Sequence, residues 1–370
     1  MRFKGFEGEY SFEILNKYLE YEQPTKYLIL NNENINEIGN VPVLTANKSF
    51  ILGYVENELN NCYKKGECFI FDDFTTDIKY VNFLFKLRSS AAKIITTKND
   101  NYINYFFYLL KSKKPETLGH KRHWIEITSK EKRFIPPTLK EQEKISIFLS
   151  LLDKQISLLE NKLILTEQMK KYYLYKMINI GNKFLFRFNE FKNSSIENAQ
   201  LASLVKLNKY KQISASELEQ LNSKSGNIKL LPSSKDFDWF SDLVDIKDNR
   251  VNYGNVITLG RARYANIKKW KGHFISSNNI IIENNNNVVF DYLYHLINKN
   301  KKKFYIEKTT YPVFSSEIFK EFDCSIPSNI NEQIKISDFL NKIEWIELHI
   351  KNKIELTKKR KLFYLNNLFI

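Results

Sequence analysis

The stretch from residue 135 to 180 decides the organisation of this chain: IPPTLKEQEKISIFLSLLDKQISLLENKLILTEQMKKYYLYKMINI. After Pro137 it contains no Gly or Pro, so nothing in it breaks a helix. Thr138 and Glu141 have the spacing of a capping box at its start. The apolar residues recur alternately four and three positions apart, which is the spacing of a coiled-coil seam: Ile145, Leu149, Leu152, Ile156, Leu159 and Leu163. The stretch predicts a helix of about 40 residues, roughly 60 Å long.

The same stretch returns at residues 326–370 as IPSNINEQIKISDFLNKIEWIELHIKNKIELTKKRKLFYLNNLFI. An offset of 191 brings Glu141-Gln142 onto Glu332-Gln333, and Asn329 takes the capping position of Thr138. The seam also recurs, at Ile336, Leu340, Ile343, Ile350 and Ile354, with Glu347 in the place of Ile156. Unrelated amphipathic helices share a period but rarely share a cap and a Glu-Gln pair, so we interpret the repeat as a duplication.

A globular segment precedes each helix. The chain opens with the pattern Arg-Phe-x-x-Phe at residues 2–6, and the pattern returns at residues 187–191. The protein is therefore predicted to be two tandem units. We predict a first globular domain at 1–134, a first long helix at 135–180, a second globular domain at 181–325 and a second long helix at 326–370.

Both globular segments are predicted to mix short strands with one aromatic-rich helix. In the first, strands are expected at residues 68–71 and 92–97, followed by a helix at 102–113. In the second, strands are expected at 256–259 and 274–282, followed by a helix at 288–298. Aromatic side chains on these helices are expected to lie in a core rather than to stack on bases. The order matches, but the residues have diverged.

The seam becomes polar at matching places in the two long helices, at Thr166 and Thr357 and again at Lys170 and Lys361. One interpretation is that polar residues set the register of the helix pair. The other, which we favour from the sequence, is that the apolar stripe moves to Leu165, Met169 and Tyr172.

Composition favours a polyanionic partner. The net charge is +15 and the pI is about 9.3, although an AT-rich genome would also enrich Lys and Asn, so charge alone leaves nucleic-acid binding open. There is no apolar run long enough to span a membrane and no secretory signal is expected. The three cysteines lack CxxC spacing and are expected to be structural thiols in a reducing cytoplasm.

The search for catalytic motifs favours a binding protein. Asp72 or Asp73 with Asp77-Ile78-Lys79 resembles a metal-nuclease pattern, but these carboxylates lie in one loop rather than on neighbouring strands. The chain lacks phosphate-cradling glycine motifs. His120 and His123 have no companions for a zinc set, and we expect them to be solvated or to contact phosphate. No catalytic residue, metal or cofactor is predicted for this chain.

Basic and polar loops are the candidates for contact with DNA. Arginine can bind guanine edges with two hydrogen bonds, whereas lysine mainly contacts phosphate. The alternative is a basic surface of strands and turns without a ligand. The candidates are Thr45, Lys48, Thr75, Thr76, Lys79 and Arg88 in the first segment, and Arg261, Arg263, Tyr264, Lys268 and Lys269 in the second.

The tandem arrangement, the I-P-P-x-x-x-E-Q-x-K-I lead, the long helices and the R-F-x-x-F openings resemble the specificity subunits of type I restriction–modification systems. The resemblance implies a mixed α+β fold, in which two α/β target recognition domains are separated by two long antiparallel helices that form a coiled-coil spacer with pseudo-twofold symmetry. Each domain would read one half of a split sequence in double-stranded DNA, and the helices would fix the number of unread base pairs.

The resemblance also implies partners that carry the chemistry. Two methyltransferase subunits would bring S-adenosylmethionine and methylate adenines, and two restriction subunits would bring ATP and Mg²⁺ for translocation and cleavage. This chain would bind none of these cofactors. Three alternatives stay open from the sequence: the recognition subunit of a fused restriction–methylation enzyme, a coiled-coil adaptor for proteins, and a stand-alone nuclease.

Overall fold

A computed structural model describes residues 1–29, 34–45, 49–56, 61–117, 122–178, 185–207, 210–223, 225–236, 238–242, 248–263, 266–307 and 310–369. The chain divides into two compact units: Met1–Asn161 with Asn352–Ile370, and Lys162–Lys351. Each unit includes part of both long helices, so the predicted four-part division is one of sequence organisation and stays a prediction. The mixed α+β class is confirmed.

The first unit combines short strands with helices, and it includes the beginning of the first long helix and the end of the second. Its strands are β1 (Ser11–Ile14), β2 (Leu19–Glu22), β3 (Val41–Leu44), β4 (Ile51–Val55), β5 (Cys68–Asp72), β6 (Ile78–Val81), β7 (Lys86–Leu87), β8 (Ala92–Thr97) and β9 (Lys132–Ile135). Its helices are α1 (Ile103–Ser112), the short α2 (His123–Glu126) and the beginning of α3 (Leu139–Met177). Single 3-10 turns lie at Leu15–Lys17, Pro24–Tyr27 and Thr128–Lys130.

The second unit follows the same order with longer strands. Its strands are β10 (Ile196–Gln200), β11 (Val205–Leu207), β12 (Ile228–Leu231), β13 (Phe240–Ser241), β14 (Asn252–Gly260), β15 (Ile267–Ser276), β16 (Asn279–Asn284), β17 (Tyr305–Glu307), β18 (Pro312–Phe314) and β19 (Asp323–Pro327). Its helices are the end of α3, α4 (Leu201–Leu204), α5 (Ala215–Gln220), α6 (Phe290–Asn300), α7 (Ser316–Lys320) and the beginning of α8 (Ile330–Leu368), with 3-10 turns at Asn189–Phe191 and Lys301–Phe304.

The two units share a sheet order, which confirms that the globular segments are copies. The first has a sheet ordered β2-β8-β5-β6, and the second has β11-β16-β14-β15 extended by β12 and β13. In each, an antiparallel strand pair leads directly into a long helix, β1 with β9 and β10 with β19. The hairpins β5–β6 and β14–β15 are therefore equivalent elements.

The predicted strand at residues 274–282 is in fact two strands. β15 ends at Ser276 and β16 begins at Asn279, and Asn278 between them has φ 54°. Asparagine tolerates this left-handed conformation better than most residues, so a tight turn fits where the apolar pattern suggested continuity.

The aromatic helices α1 and α6 face the cores, as expected. In α1, Tyr105, Phe106, Phe107 and Tyr108 are all buried. They share a core with seam residues of α3, including Leu149, and with the end of α8. The core of the second unit likewise joins α6 to Ile336 and Leu340 of α8. Each globular part is thus packed on the long helices rather than tethered to them.

The seam follows the predicted positions, and the favoured drift of the apolar stripe is wrong. Leu159 and Leu163 are half-buried, and the other predicted seam residues of both helices are buried. Leu165 is 65% exposed and Tyr172 is 56% exposed, whereas Thr166 and Thr357 are each 5% exposed. Each threonine hydroxyl donates a hydrogen bond to the carbonyl four residues earlier, which satisfies it within the seam. The polar residues therefore belong to the seam itself.

Candidate DNA interface

A buried ion pair ties the start of each repeat to its long helix. The Arg2 guanidinium donates to both carboxylate oxygens of Glu141, at 2.8 and 2.7 Å. Arg187 donates to Glu332 in the same way, at 2.8 and 2.6 Å. The predicted capping box is half correct: the Thr138 hydroxyl accepts from the Glu141 N–H at 3.3 Å. The carboxylate of Glu141 does not return to the cap, because it binds arginine instead.

The glutamine beside each of these glutamates holds the aromatic helix. The side-chain oxygen of Gln142 accepts a hydrogen bond from the backbone N–H of Tyr102, at the start of α1, at 3.3 Å. The side-chain oxygen of Gln333 accepts from the N–H of Val289, at the start of α6, at 2.8 Å. The repeated Glu-Gln pair therefore joins the opening segment and the aromatic helix to one turn of a long helix.

Aromatic contacts repeat around the same turn. Phe148 packs edge-on against Phe3 and Tyr364, with ring centroids 5.4 and 4.8 Å away. In the second unit, Phe339 meets Phe188 and Tyr173 at 6.4 and 4.8 Å. The amino group of Met1 also donates to the Asn367 carbonyl at 2.8 Å. Within each unit, the start of one long helix thus lies beside the end of the other, so the pair is antiparallel.

A tyrosine, a carboxylate and a lysine link each aromatic helix to both long helices. In the first unit, the Tyr108 hydroxyl donates to Asp153 at 2.7 Å, and Lys361 also binds Asp153. In the second unit, Lys170 binds Glu344 at 3.3 Å. Burial, reinforced by Glu344 and Glu347, raises the pKa of Tyr294 above its usual value, so its hydroxyl stays protonated beside these carboxylates. These contacts fix how each globular part sits on its portion of the helix pair.

The tip of the β5–β6 hairpin, residues 73–77, is held by hydrogen bonds between side chains and backbone groups. The Asp72 carboxylate accepts from the N–H groups of Phe74 and Thr75, both at 2.9 Å. Phe74 and Thr75 are exposed. Thr76 is buried at φ 55°, and its hydroxyl donates to the Pro115 carbonyl at 2.9 Å. Thr75 therefore remains a candidate for base contact, whereas Thr76 shapes the loop.

The tip of the β14–β15 hairpin, residues 261–266, presents two arginines. Arg261 and Arg263 are exposed, and their backbone N–H groups donate to Asn278 at 3.1 Å and to Pro312 at 2.8 Å. Arg263 has φ 68°, and its guanidinium carbon lies 5.4 Å from the centroid of the Tyr311 ring. The backbone is thus held while the two guanidinium groups face outward. Tyr264, another candidate, lies outside the described residues.

A basic cleft lies beside each hairpin tip, against the end of the aromatic helix. The cleft of the first unit is lined by Thr76, Asp77, Ile78, Lys79, Leu110, Lys111 and Lys114. The cleft of the second unit is lined by Lys235, Arg263, Asn266, Lys301, Lys302, Tyr305, Glu307 and Pro312. The lysines that follow the aromatic helices were not among the predicted candidates, although the basic run at residues 299–303 is a signal for them in the sequence.

The environments of the cleft lysines differ. Lys111 is exposed, yet desolvation of its ammonium by the surrounding protein lowers its pKa, and neighbouring Lys361 lowers it further. Burial and the nearby Lys170 lower the pKa of Lys301. Lys302 is exposed, and Lys114 pairs with Asp77 at 2.6 Å at the rim. An anion entering either cleft would restore the favourable environment that burial removes from these ammonium groups.

Two candidates of the second segment do not lie on an open surface. Lys268 is buried, its ammonium donates to the carbonyls of Pro232 and Ser234, and burial lowers its pKa to about 8. Lys269 donates to Asp291 at 2.8 Å and to Asn341 at 2.6 Å. Alternation along β15 places these adjacent side chains on opposite faces of the sheet, and each meets partners there that the sequence did not reveal. They hold the domain together.

The remaining candidates of the first segment stay predictions. Thr45 is half-buried and donates to the Ser49 carbonyl at 2.6 Å. Arg88 has an exposed side chain, and Lys79 lies half-buried at the cleft. Lys48 lies outside the described residues.

The residues of the nuclease pattern have structural partners. Asp73 forms a buried ion pair with Lys93 at 2.9 Å and accepts from the Trp124 N–H at 2.9 Å. The expectation that His123 is solvated or contacts phosphate is wrong, because it is buried with a ring nitrogen against the Asp73 carbonyl. His120 lies outside the described residues. Across the part of the chain that the structure describes, no group of three or more His, Cys, Asp or Glu could hold a metal ion. Within the same part, the helices are all too short or too polar to span a membrane.

Comparison with known proteins identifies the class. Residues 193–358 match the family described as "Type I restriction modification DNA specificity domain". The chain is 28% identical to the type I restriction enzyme EcoR124I/EcoR124II specificity subunit of Escherichia coli, across 96% of this chain and 93% of that protein.

Solved structures agree on the fold. The S subunit of a type I restriction–modification system from M. genitalium has a TM-score of 0.74 at 13% identity, covering 99% of this chain and 97% of that one. A chain from a study of complex assembly and conformational transition in a type I system has a TM-score of 0.51 at 9% identity, covering 98% and 97%.

The matched residues 193–358 are similar to a DNA specificity domain, and they include Arg261 and Arg263 of the hairpin tip and the start of α8. The first unit repeats the sheet order and the anchors of the second unit. The predicted resemblance is confirmed as a similarity: residues 193–358 match the family's DNA specificity domain, and nearly the whole chain aligns with a type I specificity subunit. The fused restriction–methylation alternative is not favoured.

Proposed function

We propose that this chain binds a bipartite sequence in double-stranded DNA and directs adenine methylation or cleavage by partner subunits to it. One observation carries the proposal: two copies of one scaffold present equivalent hairpins whose tips differ. Residues 73–77 expose Phe74 and Thr75, whereas residues 261–266 expose Arg261 and Arg263. Equivalent frames with different exposed groups suit the reading of two different half-sites.

The hairpin tips would read bases, and the clefts would hold the backbone. Arg261 and Arg263 can each bind guanine O6 and N7 in the major groove. Thr75 can bond to a base edge, and Phe74 can contact a thymine methyl group. Lys302 and its neighbours in the cleft would contact phosphates, which positions the duplex without reading its sequence.

The long helices would set the distance between the half-sites. Their pairing is antiparallel in each unit and is anchored by seam residues and by the tyrosine, carboxylate and lysine contacts. A helix pair with fixed register has a fixed length, so the number of unread base pairs would be fixed as well.

Chemistry would belong to partners. We propose two methyltransferase subunits with S-adenosylmethionine and two restriction subunits with ATP and Mg²⁺, acting in the cytoplasm. The engagement of Asp72, Asp73 and His123 in structural bonds supports a non-catalytic role for the nuclease-like stretch.

The direct test is single-molecule sequencing of adenine methylation in a host that carries this chain and its methyltransferase. The control is the same host with only this chain deleted. We expect one split motif to lose methylation in the deletion, which gives both half-sites and their spacing. Unchanged methylation in a host with an active methyltransferase would refute the proposal. A protein adaptor would also show little salt-sensitive DNA affinity, whereas a DNA reader loses affinity steeply with added salt.

A further inference from the structure

Two ion pairs cross between the long helices near their middle. In the first unit, Lys358 of α8 binds Glu160 of α3 at 2.6 Å. In the second unit, Lys351 of α8 binds Glu167 of α3 at 3.2 Å. All four side chains are about half exposed, so they are surface pairs at the edge of the seam.

The duplication relates these two pairs to each other. The offset of 191 brings Glu160 onto Lys351 and Glu167 onto Lys358. The same contact therefore occurs twice, but its charges are reversed between the repeats. Both acidic residues lie on α3, and both basic residues lie on α8.

Lys170 of α3 binds Glu347 of α8 at 3.0 Å, and this contact has no repeat equivalent because Ile156 occupies the matching position of α3. A further charged contact between the helices occurs in both repeats without the reversal. Asp153 of α3 binds Lys361, and its repeat equivalent Glu344 of α8 binds Lys170. The acid stands at the earlier position and the lysine at the later position in both helices. These residues would attract each other in any combination of the two repeats, so they do not distinguish one helix from the other.

We propose that Glu160, Glu167, Lys351 and Lys358 direct each long helix to the unlike repeat and disfavour pairing with the same helix of a second copy of this chain. If two α3 helices paired with the geometry seen here, Glu160 would face Glu167 of the other copy. If two α8 helices paired, Lys351 would face Lys358. The duplicated seam would accept both arrangements, whereas the charges reject them. This inference goes beyond DNA recognition and does not depend on it.

The expected discrimination is the product of several small effects. An exposed ion pair alters an association constant by roughly twofold, and a like-charge contact has a similar effect in the opposite direction. If two chains paired α3 with α3 and α8 with α8, two attractive contacts per chain would become repulsive. We therefore expect more than a tenfold preference against the exchanged dimer.

The test exchanges one pair of charges. Glu160→Lys combined with Lys358→Glu leaves the net charge unchanged and keeps the contact within the chain, with its sign reversed. Position 160 would then attract Glu167 of a second copy, and Lys351 would attract position 358. Glu167→Lys combined with Lys351→Glu has the same consequence through the other pair, and it serves if the first variant folds poorly. All four substitutions together restore like charges in every like-with-like contact, so that variant is the matched control.

The readout is a disulfide between copies. Residue 163 lies next to the midpoint between positions 160 and 167, so the two copies of this residue would come close together if two α3 helices paired with each other. Leu163→Cys is introduced into every charge background, and the three native cysteines are buried. The proteins are unfolded in urea, refolded at equal concentration and mildly oxidised. Size-exclusion chromatography with light scattering then measures the dimer.

We expect at least tenfold more disulfide-linked dimer in either two-residue variant than in the wild-type charge background or the four-residue variant. Equal cross-linking in all backgrounds, with wild-type helicity by circular dichroism, would overturn the proposal. Because no DNA is present, failure here leaves the proposed DNA recognition untouched, and the methylation experiment tests that separately.

Discussion

The ion pair that joins the start of each repeat to its long helix is nearly the same in the two units, whereas the loops at the hairpin tips have diverged. Arg2 with Glu141 and Arg187 with Glu332 have nearly the same geometry, with closest distances of 2.7 and 2.6 Å. The tips at residues 73–77 and 261–266 share a place in the sheet and almost no residues. The duplication has kept the groups that hold the scaffold and has replaced those that face outward.

The largest expected effect is a loss of folding stability when the ion pair between Arg187 and Glu332 is broken. Glu332 is fully buried, so Arg187→Ala would leave its carboxylate without a counter-charge. Breaking a buried pair in this way costs about 3–5 kcal/mol. Arg2→Ala should cost less, because Arg2 is more exposed than Arg187 and Glu141 keeps a hydrogen bond from Tyr10 at 2.8 Å. Urea unfolding of the two variants measures both losses.

A double replacement sharpens that result. Arg187→Leu with Glu332→Leu removes both charges and should be less destabilising than Arg187→Ala, because no unpaired carboxylate remains in the core. Equal losses for Arg187→Ala and Arg2→Ala would show that the two anchors do not differ as their burial implies.

The next effect concerns the diverged tip. Arg261→Ala or Arg263→Ala should weaken binding to DNA by about 1–3 kcal/mol for each lost base contact. The loss should be confined to changes in one half-site, as measured by titration of duplexes that carry single substitutions. Arg250→Ala is the matched control, because its guanidinium is already paired with Asp248 of the same unit. Equal weakening at both half-sites would contradict base reading by this tip.

A smaller difference separates the aromatic helices. His295 follows Tyr294 in α6, and Leu109 occupies the corresponding place after Tyr108 in α1. Burial lowers the pKa of His295 to about 4, although Glu344 opposes the shift, while Lys269 adds to it. Unfolded histidine titrates near 6.5, so the unfolded chain binds more protons between these values and stability falls as the pH decreases.

From pH 8 to pH 5 this histidine should remove about 2 kcal/mol of stability. His295→Leu, which makes the second unit resemble the first, should abolish that part of the acid dependence in urea unfolding at the two pH values. An unchanged dependence would mean that another group governs the response to acid.

The sequence predicted the parts of this structure that depend on local pattern. The period of Ile145, Leu149 and Leu152 and its repetition 191 residues later indicated both long helices and their seams. The prediction for Thr166 was wrong, because the period of apolar residues does not reveal that the Thr166 hydroxyl donates to the carbonyl of Lys162. An apolar neighbour such as Leu165 then appeared to be the better seam residue.

The candidate site was less predictable, because exposure depends on contacts distant in the chain. Lys268 and Arg263 belong to one basic cluster in the sequence. Only the fold shows that the carbonyl of Pro232 binds the first, while the second stands at an open tip. Lys301 and Lys302 line the cleft beside Arg263 from the end of α6, which is distant from that arginine in the chain.

The glutamines at the base of each repeat have a consequence for how a recognition domain can evolve. Gln142 and Gln333 hold the aromatic helices through backbone N–H groups, one belonging to Tyr102 and the other to Val289. Every residue except proline supplies such a donor, so the attachment places almost no demand on the incoming sequence. A domain could change its residue at that position, or be replaced by a distant relative, and the same glutamine would still accept a hydrogen bond from the backbone N–H there. Because this contact does not depend on side-chain identity, a recognition domain can change its sequence and remain attached to the long helix.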